Sequence, residues 1–195
     1  SAYRMLLGSG SVILNAYGVT LFRVLVGTSL NLLFTALTSY GLTKRHLPGI
    51  TAMTALLFFT MLFGGGLIPT YLVVVRLGLK NSPWVLIIPS LINTWYVFIL
   101  RNFFAELPAS LEEAAHMDGA GVLTILLRIV FPLSLPAFAT IGMFYAVGHW
   151  NAWFDAAIYI DDMRRMPLQI ILRNVVISAT STTSADMLME METMP

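Results

Sequence analysis

Cysteine is absent from the 195 residues. That excludes a disulfide framework, a thiolate metal site and a cysteine nucleophile. Charge is scarce too: 11% of the chain is charged, against about 25% in an average soluble domain. The 11 basic and 10 acidic residues nearly cancel and no basic cluster stands out, so no nucleic-acid partner is expected. Only three histidines occur, His46, His116 and His149, and they are far apart. Neither a Gly-Lys-Ser/Thr phosphate loop, an H-E-x-x-H pair nor a nucleophile elbow is present. No metal, no cofactor and no catalytic residue is therefore expected, and ATP hydrolysis would have to occur on a partner. Internal repeats and linkers between soluble domains are lacking as well.

What the chain has is apolar length. It is 57% hydrophobic with a mean hydropathy of +0.80, too apolar to cover a soluble surface, so an all-α polytopic membrane protein is expected. Val24 to Thr43 is a run of 20 residues without Asp, Glu, Lys or Arg, enough to cross hydrocarbon at about 1.5 Å per residue. Arg23 stands just before it, where a long side chain can snorkel to the headgroups. Lys44-Arg45-His46 and Pro48-Gly49 then form a basic turn. Leu47 to Val75 is uncharged for 29 residues, more than one straight span needs. Gly64-Gly65-Gly66 and Pro69 predict a bend or local unwinding inside it. Ser82 to Leu100 supplies a third span, ending at Arg101, and Ile129 to Phe154 a fourth, opened by Pro132 and Pro136. In all, spans are placed at about 17–43, 50–76, 83–104 and 129–153. The stretch beyond them, 154–195, reads as an interfacial aromatic belt and loop. Within it, Leu168 to Ile177 is too short to cross.

Between the third and fourth spans lies LPASLEEAAHMDGAGVLTILLRIVFP, Leu107 to Pro132. Ser110 followed by Glu113 is a capping-box pattern. Ala114 and Ala115 favour helix with almost no side-chain bulk. Asp118, Gly119 and Gly121 supply a stop, because glycine tolerates the left-handed conformation that ends a helix. A short helix, a sharp turn and a second amphipathic stretch from Val122 to Ile129 are expected at a membrane surface.

Glu113-Ala114-Ala115, three residues, Gly119, nine residues, Ile129, one residue and Phe131-Pro132 resembles the EAA signature of ABC importer permeases, with Phe131 where that family usually has leucine. The flanking AHMDGAG and FPLSLPAFAT are also similar, and the likeness runs from about Tyr17 to Leu172, most closely to MalG-like carbohydrate permeases. It implies part of a MetI-like six-helix permease in a bacterial plasma (inner) membrane. Family members usually carry one more helix on each side. Ser1 is no initiator and no element closes the chain before Pro195, so a fragment is expected. Loop 105–128 would be cytoplasmic, its coupling helix docked on an ATP-binding-cassette ATPase subunit. The other partners implied are a second permease subunit, an extracytoplasmic solute-binding protein and the lipid bilayer.

On that resemblance the coupling residues are Glu112, Glu113, Ala114, Ala115, Asp118 and Gly119. Polar and aromatic groups at membrane depth are the candidates for a solute path: Asn93, Trp95 and Tyr96 on the third span, and Tyr145, His149, Trp150 and Asn151 at the end of the fourth. Aromatic faces beside amides suit a sugar; packing and interfacial anchoring are the more ordinary roles for the same residues. Asp155, Asp161, Asp162, Arg164 and Arg165 are candidates for meeting the binding protein. A permease for amino acids, peptides or another small polar solute, and a structural membrane subunit, are the alternatives.

Overall fold

The computed structural model describes residues 12–44 and 48–177. Residues 1–11, the middle of the basic turn (45–47) and the end of the stretch 154–195 (178–195) lie outside the described residues. No β-strand forms among the described residues.

Everything packs on α1 (Val12–Thr43), a single helix of 32 residues. Its buried positions include Ala16, Thr20, Arg23, Gly27, Asn31, Thr35 and Ser39, recurring every three or four residues as one helical face must. Leu21, Leu25, Leu33 and Leu37 face outward and exposed. A water-soluble helix has the opposite pattern. In lipid, apolar side chains gain nothing by leaving the hydrocarbon, so small and polar residues turn to neighbouring helices. Arg23, expected at the headgroups, is 3% exposed. Partners on other helices hold it inside.

After Gly49 come α2 (Ile50–Leu62) and α3 (Leu67–Arg76), with a bend of 118° between them. The glycine triplet makes the expected break, with Gly66 at φ 85° where a side chain would be strained. Nothing on α2 is buried; it touches the bundle through the edge-to-face contact of Phe58 with Phe98.

The third apolar run is not one helix. Pro83–Leu86 and Ile88–Ser90 are 3-10 turns, and α4 (Thr94–Ala105) begins only after them at a 53° bend. Pro83 and Pro89 have no N–H to donate, which favours short turns. Asn93 then caps α4, its side chain accepting from the N–H groups of Trp95 and Tyr96 at 3.0 and 3.4 Å.

Next comes α5 (Ala109–Met117) and then α6 (Val122–Leu133), which continues through Pro132 by widening to a π turn over Leu126–Val130. An 85° bend at Ser134 leads to α7 (Leu135–Asn151), which, with α4, lies against α1. The described residues finish with α8 (Phe154–Tyr159), a 3-10 turn at Met163–Arg165 and the short apolar α9 (Leu168–Ile177).

One apolar cluster joins the C-terminal half of α1 to α4, α5, α6 and α7 around Tyr40, Leu100, Ile125 and Ile141. A second surrounds Val85, Leu86, Ala156 and Ile160. Among the described residues, α1 alone can cross a membrane unbroken by length and composition, and up to four spans result if each bent pair counts as one.

Candidate functional site

The polar face of α1 meets α7, the turn after it and the first turn of α8 in a chain of hydrogen bonds. The Arg23 guanidinium donates to both carboxylate oxygens of Asp155, one at 3.1 Å, and to the carbonyl of Ala152 at 3.2 Å. Its Nε donates to Nδ1 of His149 at 3.4 Å. Since Nδ1 accepts, the imidazole proton sits on Nε2, which faces Oδ1 of Asn31 at 3.0 Å. Asn31 in turn donates to the Ser90 carbonyl at 2.7 Å. One turn further on, Tyr145 accepts from the Asn93 N–H at 3.2 Å and shares a 2.8 Å bond with Thr35. Every group is satisfied, as burial in low dielectric requires.

All of these residues except Thr35 line a cavity of about 330 Å³, with Tyr96 and Phe144 stacked at its side, ring centroids 6.0 Å apart. The cavity offers aromatic faces, a carboxylate, amides and a hydroxyl at one place. It is also charge-balanced, because Arg23 and Asp155 cancel.

Of the residues considered for a solute path, Asn93, Tyr96, Tyr145 and His149 come together here. Trp95 lines a separate cleft between α2 and α4. Trp150 packs edge-to-face on Tyr17, and Asn151 is exposed at the end of α7. Arg23, Asn31 and Asp155 were not among the sequence candidates for this path. The polar stripe at three- and four-residue spacing along α1 is the signal that would have found the first two. Nothing in the sequence pairs Asp155 with them.

At the other end of α1 sits the loop that carries the EAA spacing, residues 105–128. Its helix opens at Pro108 and Ala109, and no side chain caps it. The capping box read from Ser110 and Glu113 does not form, because the helix starts ahead of Ser110 and places it inside the first turn. The expected stop does form. Gly119 takes φ 79°, its N–H donates to the His116 carbonyl at 3.0 Å, and the Ala120 N–H reaches the Ala115 carbonyl at 2.9 Å. This is the Schellman pattern. Ala115 is the one buried residue of α5, and Glu112 turns toward Lys44 in an ion pair. Ser110, Glu113, Ala114 and Met117 form the exposed stripe, with Met117 88% exposed. Asp118 closes the helix and is exposed.

The family model for the binding-protein-dependent transport system inner membrane component matches residues 30–185. The chain belongs to that family. This inner membrane component is 46% identical over 176 residues to the polygalacturonan/rhamnogalacturonan transport system permease protein YtcP of Bacillus subtilis (strain 168), covering 90% of this chain and 61% of that protein. Protein LplC of the same organism is also 46% identical, over 174 residues, with 89% and 59% covered. Among solved structures it superposes, at a TM-score of 0.86 and 33% identity, on a chain of a bacterial ABC transporter involved in the import of the acidic polysaccharide alginate, covering 91% of this chain and 63% of that one. The chain therefore spans about three-fifths of the length of the relatives it matches. The resemblance read from the EAA spacing and the all-α fold are both borne out.

The remaining loop residues are held to one another. Asn81, at φ 61°, accepts the Asp161 and Asp162 N–H groups on its side-chain oxygen at 2.7 and 3.3 Å. Its carbonyl accepts from Arg165. Lys80 pairs with Asp161 at 3.0 Å, and Arg165 faces Asp162 at 3.6 Å. Asp161, Asp162, Arg164 and Arg165 stay exposed, whereas Asp155 points inward to Arg23.

Proposed function

We propose that the chain is the membrane-crossing part of a permease subunit of an ABC importer, in a bacterial plasma membrane, passing a carbohydrate by alternating access. It crosses in four spans, α1, the bent pair α2–α3, the bent run 83–104, and α7 with the last turn of α6 (129–153), with loop 105–128 facing the cytoplasm. A separate ATPase subunit supplies the energy, a second permease completes the pathway, and a solute-binding protein delivers the solute at the face carrying Asp161, Asp162, Arg164 and Arg165. The observation that carries this reading is α5: a short helix closed by Gly119, whose stripe of Ser110, Glu113, Ala114 and Met117 is turned outward. Small residues let a partner backbone approach, Glu113 offers a charge, and Met117 supplies a flexible apolar contact that adapts to a groove.

The carbohydrate class is supported by the relatives' names and by the cavity beside Tyr96, where aromatic faces adjoin amides and a hydroxyl. The test is to purify the full-length protein with its ATPase and second permease, reconstitute the complex in liposomes and add the binding protein. Stimulation of ATP hydrolysis by oligosaccharides, oligogalacturonides among them, is expected. Stimulation by amino acids or peptides instead would remove the carbohydrate assignment, and failure of an ATPase to co-purify would remove the importer reading.

A further inference from the structure

Lys44 follows directly on the last residue of α1, and its ammonium pairs with Glu112 of α5 while lying 4.3 Å from the centroid of the Tyr40 ring. Tyr40 stands edge-to-face on Phe104 at 6.3 Å, and both belong to the cluster that takes in Ala115. Arg101 near the end of α4 donates to the Leu42 carbonyl at 3.3 Å. The end of α1 is thus held by α4 and grips α5. Within α5, Glu112 and Ala115 are three residues apart and share one face. Ala115 is the only residue that α5 buries, so a single methyl group and this ion pair fasten the helix sideways. Towards its other end, α1 contributes Arg23 and Asn31 to the solute cavity. Asn31 and Lys44 are separated by 13 residues, about 20 Å of helix.

We propose that Lys44 is a positioning residue that locks the coupling helix to α1, so that displacement of α5 reaches the solute cavity through α1 itself and not solely through the following helices α6 and α7. Glu112 then serves inside the subunit and Glu113 serves the ATPase. The inference rests on the permease reading above and adds a second mechanical route to it. A helix transmits such a push because its backbone hydrogen bonds are all internal, whereas the α6–α7 route turns through 85° at Ser134.

The experiment uses the complete importer in liposomes and measures solute taken up per ATP hydrolysed. Lys44→Glu and Glu112→Lys are each expected to lower that ratio about fivefold or more, with the ATPase still co-purifying. The charge-swapped pair Lys44→Glu/Glu112→Lys restores it to within about twofold, and Lys44→Arg retains it. Unchanged ratios in both single variants, or no recovery in an assembled swap, would overturn the proposal. Should the charge variants fail to assemble, Lys44→Cys/Glu112→Cys can be bridged by a bifunctional thiol reagent in an importer otherwise cleared of cysteine, these 195 residues holding none of their own. Bridging leaves transport intact if the two ends move as one, and loss of transport on bridging overturns the idea. Failure of the importer reading is separate, because it shows in the wild type as absence of a bound ATPase.

Discussion

Gly27 and His149 approach so closely across the α1–α7 contact that a β-carbon on Gly27 would stand 2.7 Å from Nε2 of the imidazole. The ring cannot simply swing aside, since Arg23 engages one nitrogen and Asn31 the other.

Gly27→Ala is therefore expected to destabilise, although alanine ordinarily favours a helix by about 0.5–1 kcal/mol over glycine. Overpacking costs about 1–3 kcal/mol and outweighs that gain. Thermal unfolding in nanodiscs should show a lowered midpoint. The same change in a His149→Ala background should be neutral or stabilising.

Asp155→Asn keeps the shape of the cavity wall but leaves the buried Arg23 charge uncompensated. Breaking a fully buried pair costs about 3–5 kcal/mol. Because Asp155 is 28% exposed, about 2–3 kcal/mol is expected after allowance for solvent screening. Arg23→Met combined with Asp155→Asn should be milder than Asp155→Asn alone, and a double-mutant cycle on unfolding midpoints checks this.

Asn81 holds the loop before Pro83 to residues 161–165 from a left-handed backbone. Asn81→Ala loses the amide contacts and strains the backbone, at about 1–3 kcal/mol locally. Asn81→Gly relieves the strain and loses only the contacts. Proteolytic nicking near Arg164 should rise in the order wild type, Asn81→Gly, Asn81→Ala.

Glu113→Lys and Gly119→Leu should uncouple transport while the permease still reaches the membrane. The first reverses the exposed charge, and the second forces a branched side chain into φ 79° at about 1–2 kcal/mol. Wild-type transport-coupled ATP hydrolysis in both variants would contradict the docking role.

The Lys44 tether has a defined pH window. Burial pulls the ammonium's pKa down, but Glu112 and Tyr40 more than offset this and hold it above the ordinary lysine value of 10.5. A raised pKa means the ammonium's contribution is fully present below that ordinary value and is lost as pH rises through the higher folded one. A nitroxide placed by Met117→Cys should thus show no change in mobility from pH 8 to 10, and greater mobility only above 10.5. Tyr40, whose ring lies 4.3 Å from the same ammonium, is the other titratable group to control, since a tyrosine hydroxyl ionises in this alkaline range.

Several features were legible in the primary structure because contiguous residues decide them. Long uncharged runs define the membrane class. Gly64-Gly65-Gly66 interrupts a helix wherever it is placed, and Asp118-Gly119 ends one, since both rest on backbone freedom within a few bonds. The EAA spacing is likewise local, and it pointed to the family. Even so, local rules competed at Ser110, where a cap was possible and a start at Ala109 prevailed.

What only the tertiary structure decided is which polar groups meet. Arg23 and His149 are 126 residues apart, and Arg23 and Asp155 are 132. Their meeting depends on how α1 is rotated against α7 and where the chain turns after Asn151. Hydrophobicity, which marks each helix as belonging in lipid, says little about which side faces a neighbour, because lipid and helix are equally apolar. Packing of small residues and satisfaction of buried polar atoms choose that side, and both need the partner helix in place.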